Sequence, residues 1–447
     1  MTIETLRSAF SGVILTESTE GFANYPYPAG APTVIVRPQS ADDVIAAIAH
    51  ARSDGLSVSV RSGGHSGGGW TWRPGGLVID MSGFTDITVT GLRATIGSGA
   101  TWGTVAETLG EHGLALSSGD TRSVGVGGLT LGGGVGWVVR KYGLALDSLV
   151  SARIVTADGR VVTASGGENP DLFWAIRGGG GNFGVVLDFT FEAHRLSSVL
   201  HGVITFDTQD LAGLLRGYRD ALRDSPTELN ATFMLMPPMG PQMPGGPAIH
   251  VVWAASDDAG ADEATGWAAI APLLEIPGIV THDIRSKAYA DVLDDPHPPE
   301  GDGPMPVIVG NNGWAPDFSD EAIDAVAELV RRTPGGVLMI RYLAGRFNQV
   351  DVDATAFAWR DAETLVIAVA FLPPDADAAV IAAMNEAWLP VSEFTEGTYG
   401  NFTESTGDEI VGLMYPPATL ARLRSIKYEW DPENVFDQNQ NIAPARP

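Results

Sequence analysis

The side chains best placed for chemistry gather around one histidine. His65 lies in SGGHSGGGW at 62–70, directly after the alternating apolar and polar stretch LSVSVR. Gly64-His65-Ser66-Gly67-Gly68 also satisfies G-x-S-x-G, the spacing by which serine hydrolases expose a nucleophile on a strand–turn–helix corner. Ser66 is thus a candidate nucleophile, but GWTWRPGGLVID follows it, with Pro74 and two glycines where that corner requires a helix. A hydrolase using Ser66 is kept only as a remote alternative. Gly179, Gly181 and Gly184 match a dinucleotide fingerprint, yet the helix-like DLFWAI precedes them and the strand-like VVLDFTF follows. A Rossmann loop needs the reverse order, because its pyrophosphate rests on the N-terminus of the helix after the strand. With no cysteine there is no thiolate nucleophile, disulfide or thiolate metal site, and the eight histidines show no metal-ligand spacing. No metal is expected.

The elements around these residues change character along the chain. SADDVIAAIAHARSDG reads as a helix capped by Ser40, with acids in its first turn and a stop at Gly55. A strand follows and runs into the His65 loop. Glycine is dense three times, at 62–70, 125–136 and 177–184. Without a Cβ, such segments let backbone approach backbone or ligand and turn their N–H groups toward an anion. A buried diphosphate is the natural ligand for three such clusters. Beyond about residue 200, ATFMLM, AIHVVWAA, GVLMIRYLAG and ETLVIAVAFL read as strands between alanine-rich helices. The closing KYEWDPENVFDQNQNIAP is polar again.

VRSGGHS, TRSVGVGGLTLGGGVGWVVRKYGLALD, ENPDLFWAIRGGGGNFGVV, YGNF and DPENVFDQNQNIAP, in this order, resemble the FAD-linked oxidases of the vanillyl-alcohol oxidase fold. Within that fold they resemble the berberine-bridge-enzyme-like branch. The resemblance implies an α+β protein: a two-subdomain, PCMH-type FAD-binding domain over 1–200, a substrate domain over 201–398 with an antiparallel sheet flanked by helices, and a segment over 399–447 that returns to the first domain.

By the same resemblance, backbone at Arg61, Ser62, Gly63, Gly64, His65 and Ser66 binds the diphosphate, and His65 bonds to the flavin 8α-methyl. Gly119, Thr121, Val124, Gly125, Gly128, Gly133 and Gly136 run along the flavin, Gly184 and Val185 meet the adenosine half, and Asn439 and Asn441 close over the cofactor. Thr121 stands where many relatives carry a second, cysteinyl attachment, so a single histidyl bond is implied. Val124 matches a position where valine accompanies oxidase activity. Met339 stands where related enzymes place a glutamate base. Tyr399, in the YGNF motif with Asn401 that the resemblance sets beside the flavin, is the candidate base or hydrogen-bonding residue. Arg341 is its candidate neighbouring cation, on the strand face shared with Met339 and Leu343.

The activity so implied is hydride transfer from a C–H bond next to an alcohol or amine to flavin N5, with reoxidation by O2 giving H2O2. A flavin-dependent monooxygenase or tailoring enzyme is the alternative, and a flavoprotein that binds a ligand without catalysis a third. Net charge is −27, from 54 acidic and 27 basic residues, which repels nucleic acid and anionic lipid. A cytoplasmic protein with no nucleic-acid or membrane partner is expected, acting on a small molecule. The proline- and methionine-rich MLMPPMGPQMPGGP reads as a loop at the pocket mouth favouring an apolar substrate.

Overall fold

The computed structural model describes residues 3–25, 30–66, 69–207, 209–238, 245–255, 263–295 and 307–446. Its first sheet is ordered Val13–Leu15, Val34–Arg37, Leu77–Asp80, Val58–Arg61, the last three strands parallel. The helix Ala41–Asp54 supplies the crossover between Val34–Arg37 and Val58–Arg61. Its boundaries are chemical: the Ser40 side chain accepts from Asp43 N–H, and Gly55 takes a left-handed φ of 67° to end it. The apolar face, Val44, Ala47, Ile48 and Ala51, closes on Val34, Val36, Leu77 and Ile79. Val58–Arg61 is thereby anchored, and the His65 loop leaves from its end.

A second sheet, ordered Ile87–Thr90, Arg93–Gly97, Val185–Glu192, Leu149–Val155, Val161–Ser165, is antiparallel throughout. DLFWAI falls on the helix Pro170–Ala175, and the strand follows it as the sequence indicated. At Gly184, φ is 151° and an added Cβ would lie 2.6 Å from the Val155 carbonyl oxygen, so the chain's own turn requires glycine there.

The third sheet has seven strands, all antiparallel, in the order Ile279–Ala288, Ser198–Phe206, Gly246–Trp253, Leu229–Met236, Val337–Tyr342, Thr364–Leu372, Val307–Ala315. It starts at Ser198. Period-2 alternation divides its faces. Leu200, Phe233, Ile249, Ile340 and Val366 bury against the helices Leu211–Arg223 and Asp320–Arg332 through Leu215, Tyr218, Ile323 and Val326. The opposite face turns to the glycine-rich part of the chain: Val252 shares a core with Trp137 and Leu131, and Leu343 shares one with Val135 and Tyr399.

Buried polar contacts lock these parts together. Arg360 grips Asp147 with two bonds of 2.9 and 2.7 Å, both side chains nearly inaccessible. Lys427, on the C-terminal helix Pro417–Trp430, donates to Asp431, to Phe436 O and to Asn182 O in the third glycine cluster. Asn182 Oδ1 in turn accepts from Ile442 N–H. The tail is thus stitched onto residues 179–182. No helix among the described residues is long and apolar enough to cross a membrane.

Candidate active site

The first two glycine clusters meet backbone to backbone. A Cβ on Gly63 would lie 2.3 Å from Gly125 N, and one on Gly125 2.2 Å from Gly63 N, so neither position accepts a side chain. Ser62 ties the junction: its hydroxyl donates to Ser98 O at 2.7 Å and accepts from Gly127 N–H at 3.2 Å. Gly64 has φ 77° with the Arg61 guanidinium 2.9 Å from its would-be Cβ, and Arg61 itself pairs with the buried Asp80. Gly136 is forced by Ser118 O, 2.2 Å from a would-be Cβ, while Gly119 fits under Leu129.

Gly128 differs. It sits within the short helix Val126–Gly132, exposed, with nothing within 4 Å of a would-be Cβ. Glycine in a helix costs about 0.5–1 kcal/mol relative to alanine. Packing among the described residues does not require it, and the open flank leaves room for a ligand to approach the main chain.

His65 projects from this junction, and its Nε2 lies 2.9 Å from Ser123 Oγ. Burial pushes its pKa below the ordinary histidine value, against the opposing pull of Asp295, so the ring is neutral near pH 7. Gly69 N–H donates to Ser66 O and Trp72 N–H to Gly69 O, and no helix follows Ser66 among the described residues up to the strand Leu77–Asp80. The nucleophile-corner reading is corrected by that geometry. Thr121 donates to Asp120 and pairs its backbone with Asp294, and Val124 O accepts from Trp102 N–H.

Tyr399 and Asn401 hold the far end of the second cluster. The Tyr399 hydroxyl accepts from Gly134 N–H at 2.8 Å and from Asn401 Nδ2 at 2.9 Å. Gly132 must be glycine to clear Asn401, and Gly133, at φ 147°, to clear Tyr399. Tyr399 is 3% exposed among Trp314, Phe357 and Phe402. Burial raises its pKa, outweighing those two bonds and the Arg341 charge. Of the two roles expected for Tyr399, base or hydrogen-bonding residue, this geometry favours the second: the phenol is held protonated and its oxygen accepts from Gly134 and Asn401.

Arg341 does share a sheet face with Met339 and Leu343, but its partner is Asp120, at 2.5 Å, rather than Tyr399. Burial alone would raise the Asp120 carboxyl; the guanidinium more than offsets this and holds it ionised. Across the same face the register sets Thr232 beside both Arg341 and His250. His250 stacks on Trp137 with centroids 5.7 Å apart, and His201 meets Trp137 edge-on. Burial lowers both imidazoles to about 4, helped for His201 by Lys287, whose ammonium donates to Nδ1 at 3.0 Å. Sequence reasoning passed over Asp120, Ser123, His201, His250 and Asp295. The parity of His250 within AIHVVWAA, opposite to that of Ile249 and Val251, was the one available signal.

Whether these residues suit FAD is tested by what the chain leaves unsatisfied. Asn439 Oδ1, Asn441 Oδ1 and Arg61 Nε are buried without a hydrogen-bond partner among the described residues. Buried orphans of this kind cost about 1–3 kcal/mol each unless a ligand supplies the missing bond. With the unfilled flank of Gly128, these groups fit an extended polar cofactor. Val185, fully buried in the core, has only backbone to offer one.

Residues 32–165 match the FAD binding domain family and residues 398–443 the berberine and berberine-like family. The (R)-6-hydroxynicotine oxidase of Paenarthrobacter nicotinovorans is 32% identical over 431 residues, 92% of this chain and 91% of that protein. The chain belongs to the FAD-linked oxidases of the vanillyl-alcohol oxidase fold, berberine-bridge-enzyme-like branch. As a member of that family it is an FAD-dependent oxidoreductase. The berberine-bridge-enzyme-like protein 1 of Physcomitrella patens, 23% identical, superposes with a TM-score of 0.88 over the whole of both chains, which shows the fold. Glucooligosaccharide oxidase from Acremonium strictum, 25% identical with a TM-score of 0.84 over 100% of this chain and 99% of that one, is described with a 6-S-cysteinyl, 8α-N1-histidyl FAD. This family member has no cysteine with which to make the first of those two bonds.

Proposed function

We propose that the protein oxidises a small organic substrate at a C–H bond next to an alcohol or amine, with its FAD attached through His65 alone. Bound FAD supplies the hydride acceptor, flavin N5, and passes the electrons to dioxygen to give hydrogen peroxide. The observation that carries this reading is the junction of Gly63 with Gly125, whose close main-chain approach sets His65 at the edge of a glycine-rich backbone surface. Val124 beside that junction supports the oxidase over the monooxygenase.

The chain's own groups then have separate tasks. Backbone N–H groups of 61–66 would hold the diphosphate, and Tyr399 with Asn401 fixes the Gly132–Gly134 turn that would border the flavin. Arg341, neutralised by Asp120, borders the substrate without adding net charge. Of the sheet's side chains, His250 is the proposed acceptor of the departing O–H or N–H proton: its ring makes no hydrogen bond to a described residue, and the burial that keeps it neutral also makes it a weak base. A neutral, partly aromatic surface of Trp137, His250 and Met339 suits a cyclic amine or aromatic alcohol.

The test is anaerobic mixing of the purified yellow protein with a panel of sugars, cyclic secondary amines and aromatic alcohols. Bleaching of the flavin, followed on aeration by recovery and one peroxide per substrate, is expected. Bleaching by none of them, or oxygen uptake yielding a hydroxylated product without peroxide, overturns the reading.

A further inference from the structure

Ser123 touches His65 on one side and Asp295 on the other. Its hydroxyl lies 2.6 Å from Asp295 Oδ1, and its backbone N–H donates to the same oxygen at 2.9 Å. Asp295 is brought there from 172 residues away, by a seam along 289–295: Arg122 N–H donates to Asp294 O, Asp294 N–H to Asp120 O, and the Arg122 guanidinium to Ala290 O.

The hydrogen-bond arithmetic fixes the imidazole. Asp295 is ionised, held low first by the Ser123 hydroxyl, so it only accepts. Ser123 has one hydroxyl proton, and Asp295 takes it. Ser123 Oγ therefore accepts from His65 Nε2–H, and the neutral ring carries its lone pair on Nδ1.

We propose that Ser123 and Asp295 are positioning residues for attachment of the flavin: they present His65 Nδ1 as the nucleophile and remove the Nε2 proton as the bond forms. The proposal rests on His65 being the tether. In the step, an 8-methyl C–H bond of FAD breaks and Nδ1–C8α forms. The methyl hydrogen leaves as a proton, and the Nε2 proton moves to Ser123 as the serine proton moves to Asp295. The two electrons of the C–H bond enter the ring system and leave on dioxygen, which with two protons becomes hydrogen peroxide. Because Asp295 reaches Ser123 through the 289–295 seam, attachment requires that seam to have packed against residues 120–123.

The experiment measures attachment, not turnover. Full-length chains produced under riboflavin limitation are incubated with FAD, and the flavin in the acid-precipitated polypeptide is followed over time. Ser123→Ala and Asp295→Asn are expected to bind FAD reversibly but attach it at least about tenfold more slowly, while Ser123→Thr, which restores the hydroxyl, recovers most of the rate. Wild-type attachment rates in Ser123→Ala and Asp295→Asn, with none in His65→Ala, overturn the relay and leave the tether standing. Covalent flavin in His65→Ala overturns the tether and the relay with it. Loss of reversible FAD binding in both Ser123→Ala and Asp295→Asn also overturns the relay, since it assigns these residues to the ring and not to cofactor affinity.

Discussion

The two sides of the site are made of different material. Residues 61–66 and 119–136 meet through main chain, with glycines pressed to within van der Waals limits at Gly63, Gly125 and Gly136. The sheet opposite meets them through side chains, His201, His250 and Arg341, delivered by strand register from three separate strands. A main-chain cradle binds what every FAD shares, and one added methylene disrupts it. On the proposed reading the side-chain face would select what is oxidised, and would tolerate exchange at the expense of chemistry alone.

The sharpest way to break this contrast is to load each side with one substitution. Gly125→Val drives a side chain into Gly63 backbone and is expected to lower bound FAD per chain by about tenfold or more, read from absorbance against protein. His250→Gln keeps full flavin stoichiometry, yet slows reduction by an alcohol substrate about a hundredfold in stopped flow. Equal flavin loss in both variants would erase the distinction.

Next in size is the ion pair joining the sides. Arg341→Met leaves the Asp120 carboxylate uncompensated and is expected to cost about 3 kcal/mol in denaturant unfolding. The double variant Asp120→Asn/Arg341→Met recovers at least half. If the two changes simply add, the pair does not couple the sheet to the loop.

Acid then probes the side-chain face alone. His201 and His250 titrate at about 4 in the fold against 6.5 in free histidine. The unfolded chain binds more protons between those values, so their contribution is present above about pH 6.5 and lost as pH falls toward 4. His201→Gln/His250→Gln should flatten the fall in thermal midpoint over that range. An unchanged slope would remove the two imidazoles from the account. The smallest effect lies outside the site: Ser40→Ala removes the cap on Asp43 N–H and costs about 1 kcal/mol without altering flavin content.

The same difference in material explains what the sequence showed. Cap, stop and period placed the helix Ala41–Asp54 to the residue, and the core strands followed alternation. The cradle was legible because glycine records a main-chain demand at its own position: Gly63, Gly133 and Gly184 each answer a specific close approach. The catalytic side was not. Tyr399 looked like a base because its motif lies near the ring, but the sequence carries no sign that Gly134 and Asn401 fill its oxygen. Arg341 was placed on the correct face, while its partner Asp120 lies 221 residues away and is joined only by folding. Asp295 and Ser123 are likewise brought together by a seam that no local pattern announces. Residues 239–244 of the proline- and methionine-rich loop, read as the pocket mouth, lie outside the described residues.

The central claim is that one flavin is held by one bond, at His65. Proteolysis of the acid-denatured protein and mass analysis of its peptides test it most directly. The account predicts a single flavin-bearing peptide, the one spanning His65, with every other peptide at its unmodified mass. An unmodified His65 peptide from yellow protein, or flavin on a peptide elsewhere in the chain, would contradict it.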